Sequence, residues 1–174
     1  MKILIFGLPG SGKTTLAKPL AELLGGVHLN ADKVRTHYDD WDFTMEGRKR
    51  QALRMRYLAD GMVMSGKIAV ADFVCPTEFA RKEFDADYTV WMDTIKKSNC
   101  QNGPAAPGST FEETDRMFET PSDINYHVKE WFDDTHAQLV KVVENYMAKI
   151  DDAINDRAHG TSMKNLEFKL DQKK

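Results

Sequence analysis

Cysteine is scarce in this sequence, and long apolar runs are missing. The two cysteines, Cys75 and Cys100, form neither a CxxC motif nor a Cys/His spacing, which argues against a zinc site. We expect two free thiols in a reducing compartment. No apolar run reaches the length of a membrane span, and the one at residues 3–6 is too short for a signal peptide. These absences predict a cytoplasmic protein that does not contact membranes.

A strong charge of either sign is also lacking. Lys and Arg number 24 and Asp and Glu number 27, so the net charge is −3. A near-neutral surface argues against a general nucleic-acid binder, but it is compatible with a small basic pocket for an anionic substrate. The length suits one domain, which we predict over residues 1–156. Residues 157–174 have little apolar content and are predicted to form a charged tail.

Short apolar segments alternate with helical patterns along the chain. Strands are predicted at residues 2–6, 27–30, 67–74, 88–93 and 124–128. Helices are predicted at residues 13–24, 46–65 and 132–154. This alternation favours an α/β fold with a mostly parallel central sheet flanked by helices, in which ligands bind at the carboxyl ends of the strands. Residues 99–110, rich in Gly, Pro, Ala and Ser, are predicted to form a mobile loop.

The first predicted strand runs into a glycine-rich segment with a fixed spacing. Residues 7–14 read GLPGSGKT and fit GxxxxGK[ST], the phosphate-binding P-loop or Walker A motif. Lys13 is expected to reach the β- and γ-phosphates of ATP, and the Thr14 hydroxyl to ligate Mg²⁺. The motif predicts a three-layer P-loop NTPase fold. The nucleotide contacts are assigned to Gly7, Leu8, Pro9, Gly10, Ser11, Gly12, Lys13, Thr14 and Thr15.

A second polar group follows the second predicted strand. Asp32 is placed where a carboxylate can face the γ-phosphate, accept a hydroxyl proton or help to hold Mg²⁺. Arg35, three residues on, can bind an anionic substrate. The alternative is that Asp32 caps a helix and Arg35 lies in solvent.

These segments, taken in order, resemble the adenylylsulfate kinase family of P-loop kinases. The family's GLxGxGK[ST]T loop is similar to GLPGSGKTT here, and its LDGDxxR motif is similar to LNADKVR at residues 29–35. Residues 42–76 can be laid without a gap on GFSxxDRxxNxRR and FISP, and residues 111–121 resemble FTGIDDPYExP. The resemblance spans about residues 2–121. Its matching positions outside the P-loop include Asp32, Arg35, Phe43, Arg48, Arg54, Phe73, Pro76, Arg81, Phe111, Asp115, Glu119 and Pro121.

The resemblance implies that the chain uses ATP to phosphorylate the 3′-hydroxyl of adenosine 5′-phosphosulfate (APS). It implies that Lys13 and Asp32 are catalytic, and that Thr14 and Asp32 hold Mg²⁺. Aromatic faces suit a base and guanidinium groups suit a phosphosulfate. The implied APS contacts are Asp32, Arg35, Phe43, Arg48, Gln51, Arg54, Phe73, Cys75 and Phe111. The alternative is that the two phenylalanines are core residues and that the arginines form a solvated basic face.

The sequence departs from the family pattern at several of these positions. Asn30 stands for the first Asp of DGD, and Asp72 stands where the family tends to have Ser, so Asp72 is an alternative Mg²⁺ partner or base. The basic lid segment is reduced to Lys96 and Lys97. Two alternatives therefore stay open: a kinase for another nucleotide or for a nucleic-acid 5′-hydroxyl, and a nucleotide-binding module with little turnover. A homodimer is also compatible with the resemblance.

Overall fold

The computed structural model describes residues 1–99 and 111–171, with side chains as far as residue 155. Of the mobile loop predicted at residues 99–110, only Asn99 belongs to the described residues; the others, Cys100 among them, lie outside them. Contacts within the chain define one unit over Met1–His136 and a second that begins at Ala137. The first unit carries the sheet and every predicted site residue. The domain boundary predicted at residue 156 stays a prediction.

Strands and helices alternate along the described residues, as the sequence predicts. The strands are β1 (Lys2–Gly7), β2 (Val27–Asn30), β3 (Ala69–Phe73), β4 (Tyr88–Met92) and β5 (Tyr126–Val128). The helices are α1 (Lys13–Leu23), α2 (Ala31–Tyr38), α3 (Met45–Met64), α4 (Glu78–Phe84), α5 (Phe111–Met117) and α6 (Thr135–Asp171). The sequence analysis missed α2, α4 and α5, which have at most eight residues each. Helix α6 begins three residues later than predicted, and its backbone continues through residues predicted as a tail.

The strands form one parallel sheet in the order β2-β3-β1-β4-β5 among the described residues. All six residues of β1 are buried, as expected of a central parallel strand. Because the strands are parallel, their carboxyl ends meet at one edge of the sheet. That edge carries the glycine-rich segment after β1 and the polar residues that follow β2.

The core occupies both faces of the sheet. On one face, Leu4 and Phe6 of β1 pack into a cluster with residues of α2, α3 and α4, including Val34, Met55 and Phe84. Ile3 and Ile5 point to the opposite face by the alternation of a strand. Helix α1 contacts β1, β2 and β3 and buries Leu16 and Leu20. The three-layer α/β architecture predicted from the sequence is confirmed.

Local sequence signals explain where several helices begin and end. Side-chain oxygens of Asn30, Thr44 and Thr77 accept hydrogen bonds from the first turns of α2, α3 and α4, and such caps are each worth about 1 kcal/mol. Helix α1 ends as predicted at the Gly25–Gly26 pair. There the Gly26 N–H bonds to the Ala21 carbonyl and the Gly25 N–H to the Glu22 carbonyl, which is the Schellman pattern.

The inward faces of two helices differ from those that apolar spacing indicates. In α1, Leu23 stands at helical spacing from Leu16 and Leu20, but it is 55% exposed. In α3, Tyr57 and Met64 stand at helical spacing, yet both are exposed. The buried face of α3 instead uses Gly47, Gln51, Ala52, Met55 and Ala59. Small residues there let α3 approach the sheet closely.

Candidate active site

The glycine-rich segment after β1 forms a tight loop against two neighbouring segments. A Cβ on Gly7 would lie 2.4 Å from the Met92 carbonyl oxygen, and one on Gly10 would lie 1.6 Å from the Asn99 carbonyl oxygen. Gly10 also has φ of 88°, a conformation that favours glycine. Any side chain at either position would displace the loop. The glycines are therefore required by close backbone approach as well as by conformation.

The interior of the loop fits a phosphate group. Helix α1 begins at Lys13, directly behind the loop, so its positive dipole end points into the loop. The Lys13 ammonium donates to the Leu8 carbonyl at 2.8 Å and so lies across the loop. The Ser11 hydroxyl is buried and has no hydrogen-bond partner among the described residues. N–H donors, a cation and a buried hydroxyl together suit a bound oxyanion.

The connection after β4 lies against this loop. The Thr94 hydroxyl donates to the Ser11 carbonyl at 2.8 Å, and the Asn99 N–H donates to the Pro9 carbonyl at 2.9 Å. The Ser98 backbone N–H donates to the carboxylate of Asp115 on α5, and the Ser98 hydroxyl bonds to the same carboxylate. Sequence reasoning missed Thr94, because no motif marks a threonine after a strand as a partner of the P-loop.

Thr14 belongs to a polar network at the ends of β2 and β3. Its hydroxyl donates to Asp72 Oδ2 at 2.5 Å. Asp72 Oδ1 contacts His28 Nε2 at 2.7 Å, and the Asn30 amide donates to both Asp72 oxygens at 3.1 and 3.2 Å. The sequence predicted Thr14 and Asp72 but missed His28 and the role of Asn30. His28 and Asn30 reach Asp72 because the β2–β3 register pairs Asn30 with Asp72.

Asp32 lies in the first turn of α2 and remains exposed. Desolvation by the surrounding protein and the negative charge of Asp72 raise the pKa of Asp32, while Lys13 and Arg35 partly offset this. Asp32 therefore lies within electrostatic reach of Lys13 in the P-loop and of Arg35. Asn30, not Asp32, caps α2. The alternative reading of Asp32 as a helix cap is wrong.

Arg35 and Arg48 come together on the ring of Phe43. Arg35 is buried, and its guanidinium donates to the carbonyls of Asp40 and Asp42 at 2.9 and 3.1 Å. It lies 4.4 Å from the Phe43 ring centroid, and the Arg48 guanidinium lies 5.5 Å from it. Burial lowers the pKa of Arg35 and of Arg48 from the ordinary value. A solvated Arg35 was the other sequence alternative, and it is wrong.

Three more polar residues of α3 contact neighbouring segments. The buried Gln51 donates to the Ala31 carbonyl at 3.1 Å. Arg54 forms an ion pair with Asp40 at 2.7 Å, and Arg50 reaches the same carboxylate at 2.7 Å. Asp40 was not predicted as a site residue, although it forms ion pairs with two of the arginines on this helix. The helix is therefore not a plain solvated basic face.

Three further predicted residues lie around this region. Phe73 at the end of β3 packs edge-to-face on Phe84 at 5.5 Å. Cys75 is buried, and burial raises the pKa of its thiol. Phe111 begins α5 and is 41% exposed, while Thr114 on the same helix accepts a hydrogen bond from Arg48 at 3.1 Å. A sandwich of Phe43 and Phe111 around a base stays a prediction.

The fold and the site together define a class of protein. A parallel strand, a GxxxxGK[ST] loop and a helix form the phosphate site, with carboxylates beside it, at the carboxyl edge of a sheet ordered β2-β3-β1-β4-β5. This is the architecture of a P-loop kinase. The family model described as adenylylsulphate kinase matches residues 1–96, which is more than half of the chain. The chain belongs to the adenylylsulphate kinase family, whose members bind nucleotides.

Individual relatives agree with this assignment. The chain is 41% identical over 81 residues to a probable adenylyl-sulfate kinase of Aeropyrum pernix, covering 43% of this chain and 44% of the relative. It is 36% identical over 90 residues to the adenylyl-sulfate kinase of Shewanella baltica, covering 48% of this chain and 44% of the relative. The matches thus span less than half the length of these curated relatives.

A solved structure agrees at the level of the fold. The Mycobacterium tuberculosis APS kinase in complex with AMPPNP and APS superposes with a TM-score of 0.63 at 15% identity, over 82% of this chain and 96% of that one. An identity this low supports the fold alone. Within the described part of the chain, no helix has the length and apolar content needed to cross a membrane.

Proposed function

We propose that the chain is an adenylylsulfate kinase, which transfers the γ-phosphoryl group of ATP to the 3′-hydroxyl of APS. One observation carries the proposal: Asp32 lies within electrostatic reach of both Lys13 in the P-loop and Arg35 beside Phe43. ATP phosphates at the P-loop and an anionic nucleotide near Arg35 would meet at Asp32. The products would be ADP and 3′-phosphoadenosine 5′-phosphosulfate.

The donor side of the proposed site suits ATP with Mg²⁺. Oxygen ligands of the kind that Mg²⁺ prefers lie beside the P-loop, namely the Thr14 hydroxyl and the Asp32 carboxylate, with Asp72 as the alternative. Across the described residues, no group of three or more His, Cys, Asp or Glu could hold a metal. This suits Mg²⁺ shared with nucleotide phosphates. When bound, the ion would neutralise charge on the β- and γ-phosphates.

On the acceptor side, the arginines favour an anionic nucleotide. Burial disfavours the charged forms of Arg35 and Arg48, and a phosphosulfate group would compensate for that desolvation. Adenine stacked on Phe43 would compete with the two guanidinium groups for the ring. We therefore expect APS binding to move Arg48, whose distance to the ring is the longer one. Other proposed APS contacts are Gln51, Arg54, Phe73, Cys75 and Phe111.

Asp32 is proposed to orient the attacking 3′-hydroxyl and to accept its proton. Transfer would proceed in line, by positioning and by stabilisation of charge rather than through a covalent intermediate. The raised pKa of Asp32 makes the carboxylate a somewhat better proton acceptor. The rate should therefore fall as the pH approaches the pKa of Asp32 from above.

The test is ADP release from ATP-Mg²⁺ with and without APS, on the wild type and on Asp32→Asn. General-base loss should lower kcat by about 10²- to 10⁴-fold, while ADP affinity measured in EDTA stays unchanged. Asp39→Asn is the matched control, since Asp39 lies at the opposite end of α2. Near-full kcat in Asp32→Asn with unchanged binding would refute the role of Asp32.

A second part of this experiment tests which acceptor the chain uses. The same assay is run with other nucleotides and with oligonucleotides that carry a 5′-hydroxyl. Turnover with one of these and none with APS would replace the proposed acceptor. ATP binding without any turnover would favour the nucleotide-binding module. Cytoplasmic location and a homodimer remain predictions, the latter testable by light scattering of the purified chain.

A further inference from the structure

The guanidinium group of Arg54 on α3 is held at one end and open at the other. Its Nη1 atom lies 2.7 Å from Asp40 Oδ2 and 3.4 Å from Gln51 Oε1. Its central carbon lies 4.6 Å from the centroid of the Tyr38 ring. Among the described residues, the Nε and Nη2 atoms of Arg54 have no hydrogen-bond partner. These two donors can therefore receive an anion.

Asp40, which holds the Nη1 end, is itself fixed from several sides. The Arg50 guanidinium binds both carboxylate oxygens, at 2.7 and 3.0 Å, and the Asp42 N–H donates to Oδ1 at 3.2 Å. The Asp40 carbonyl accepts a hydrogen bond from Arg35 at 2.9 Å. Only 12% of the Asp40 side chain is exposed. A carboxylate with so little freedom also restricts the group that pairs with it.

Arg54 belongs to a group of like charges on the acceptor side of the site. The pKa of Arg35 is lowered by burial first, and the positive charges of Arg48 and Arg54 lower it further. The three guanidinium groups therefore lie within electrostatic reach of one another. Asp40 balances only part of this charge, because it is shared with Arg50. An anion bound here would reduce the repulsion that remains.

We propose that Asp40 and Tyr38 are positioning residues, which hold Arg54 ready for the anionic group of the acceptor. Asp40 fixes one end of the guanidinium plane, and the Tyr38 ring supports its face. The open side of the fork suits two oxygens of one anionic group. A side chain that is already ordered loses less conformational entropy when the anion binds. The proposal rests on the proposed function in taking that anionic group to be the phosphosulfate of APS.

Neither residue belongs to a motif that indicated the site. Tyr38 and Asp40 lie between the LNADKVR segment and the segment that begins at Asp42. Tyr38 is 49% exposed, which at first suggests a surface tyrosine without a role. Its contact with Arg54 gives the ring a purpose, because a guanidinium group stacks favourably on an aromatic face.

The experiment follows the Nε–H signal of Arg54 by proton–nitrogen NMR while inorganic sulfate is added. The signal is assigned with Arg54→Lys, ADP occupies the P-loop, and chloride keeps the ionic strength constant. Sulfate should shift the signal in the wild type. Tyr38→Leu removes the ring without a change of charge, and ordering one long side chain corresponds to about 2- to 10-fold in affinity. The Kd for sulfate should rise by that factor, while the matched control Tyr38→Phe should keep the wild-type Kd.

Two charge variants test the role of Asp40. Asp40→Asn should also weaken sulfate binding at Arg54 by about 2- to 10-fold. If Asp40 only competed with the anion, its loss would tighten sulfate binding instead. Arg50→Gln removes the exposed partner of the same carboxylate and leaves the pair of Asp40 with Arg54, so its Kd should match the wild type. Tyr38→Leu changes an exposed residue and serves as the test if Asp40→Asn does not fold.

Turnover with APS supplies an independent readout. Tyr38→Leu and Asp40→Asn should raise the KM for APS by a similar factor and leave kcat near the wild-type value, because the 5′-phosphosulfate is remote from the 3′-hydroxyl that reacts. A wild type that shows the sulfate response at Arg54 but no turnover with APS would refute the proposed function and leave this inference standing.

Three results would overturn the inference. The first is a wild-type Arg54 signal that does not respond to sulfate. The second is a Tyr38→Leu protein that binds sulfate as tightly as Tyr38→Phe. The third is an Asp40→Asn protein that binds sulfate more tightly than the wild type.

Discussion

Gly47 offers a test of how the acceptor side of the site is built. It lies in the first turn of α3, where its N–H donates to the Thr44 hydroxyl at 3.2 Å. A Cβ on Gly47 would lie 2.3 Å from the Asp42 carbonyl oxygen, too close for non-bonded atoms. Gly47→Ala must therefore displace the segment that carries Asp42 and Phe43. The same carbonyl accepts a hydrogen bond from Arg35.

The size of the effect follows from two opposing contributions. Overpacking costs about 1–3 kcal/mol, while alanine in a helix gains up to about 1 kcal/mol over glycine. We expect the free energy of unfolding to fall by about 1–2 kcal/mol, which lowers Tm by about 2–8 °C in a chain of this size. APS affinity should fall as well, because Phe43 and Arg35 lose their positions. ADP affinity should not change.

Gly61 in the same helix is the matched control. A Cβ there meets nothing within 4 Å, so Gly61→Ala should only gain helix propensity and raise Tm by about 2–4 °C. Thermal unfolding and calorimetric titrations with ADP and APS measure both variants. A Gly47→Ala protein that melts as high as Gly61→Ala, with wild-type APS affinity, would refute the packing argument.

Two predictions concern pH. Burial raises the pKa of the Cys75 thiol above its ordinary value of 9.0. In a Cys100→Ser variant, Cys75 should therefore react with thiol reagents at pH 8 only as the protein unfolds. Fast labelling of the folded protein would contradict this. Because the unfolded thiol ionises and the folded one does not, stability should fall above about pH 9. Hydrogen bonds from Arg50 and Arg54 hold the pKa of Asp40 well below its ordinary 3.8. Its contribution is therefore present above the unfolded pKa and lost as the pH falls below it. Asp40→Asn should flatten the acid side of a urea-unfolding series, and an unchanged slope would count against the ion pairs.

The sheet was predictable because its strands carry their own signal. The residues of β1 form a short apolar run between a charged start and a glycine turn, and β3 and β4 are also short, mainly apolar runs. Helix α1 begins and ends at glycines that the sequence displays. The short helices left no comparable signal, since α2 has only eight residues, and of these only Ala31, Val34 and Arg35 are buried. The sequence around its start, where Asn30 is the cap, was interpreted as part of the LNADKVR motif and not as the beginning of a helix.

The site was predictable as a list of residues and not as a set of contacts. The P-loop pattern fixes Lys13 and Thr14 relative to one helix, so spacing alone defines them. Asp72 and His28 belong to different strands, and only the β2–β3 register brings them to one point. Arg35 was predicted for its charge, but its burial depends on the loop that Asp40 and Asp42 form around it. Such long-range contacts are set by packing and have no local sequence pattern.

The most direct test of the central claim is the identity of the product. The purified chain is incubated with ATP-Mg²⁺ and APS, and the nucleotides are separated and examined by phosphorus NMR. The account predicts one new phosphate monoester on the 3′-oxygen of APS for each ADP formed, in the wild type and not in Lys13→Ala. ADP formed without that product, or a phosphate on any other position, would contradict it.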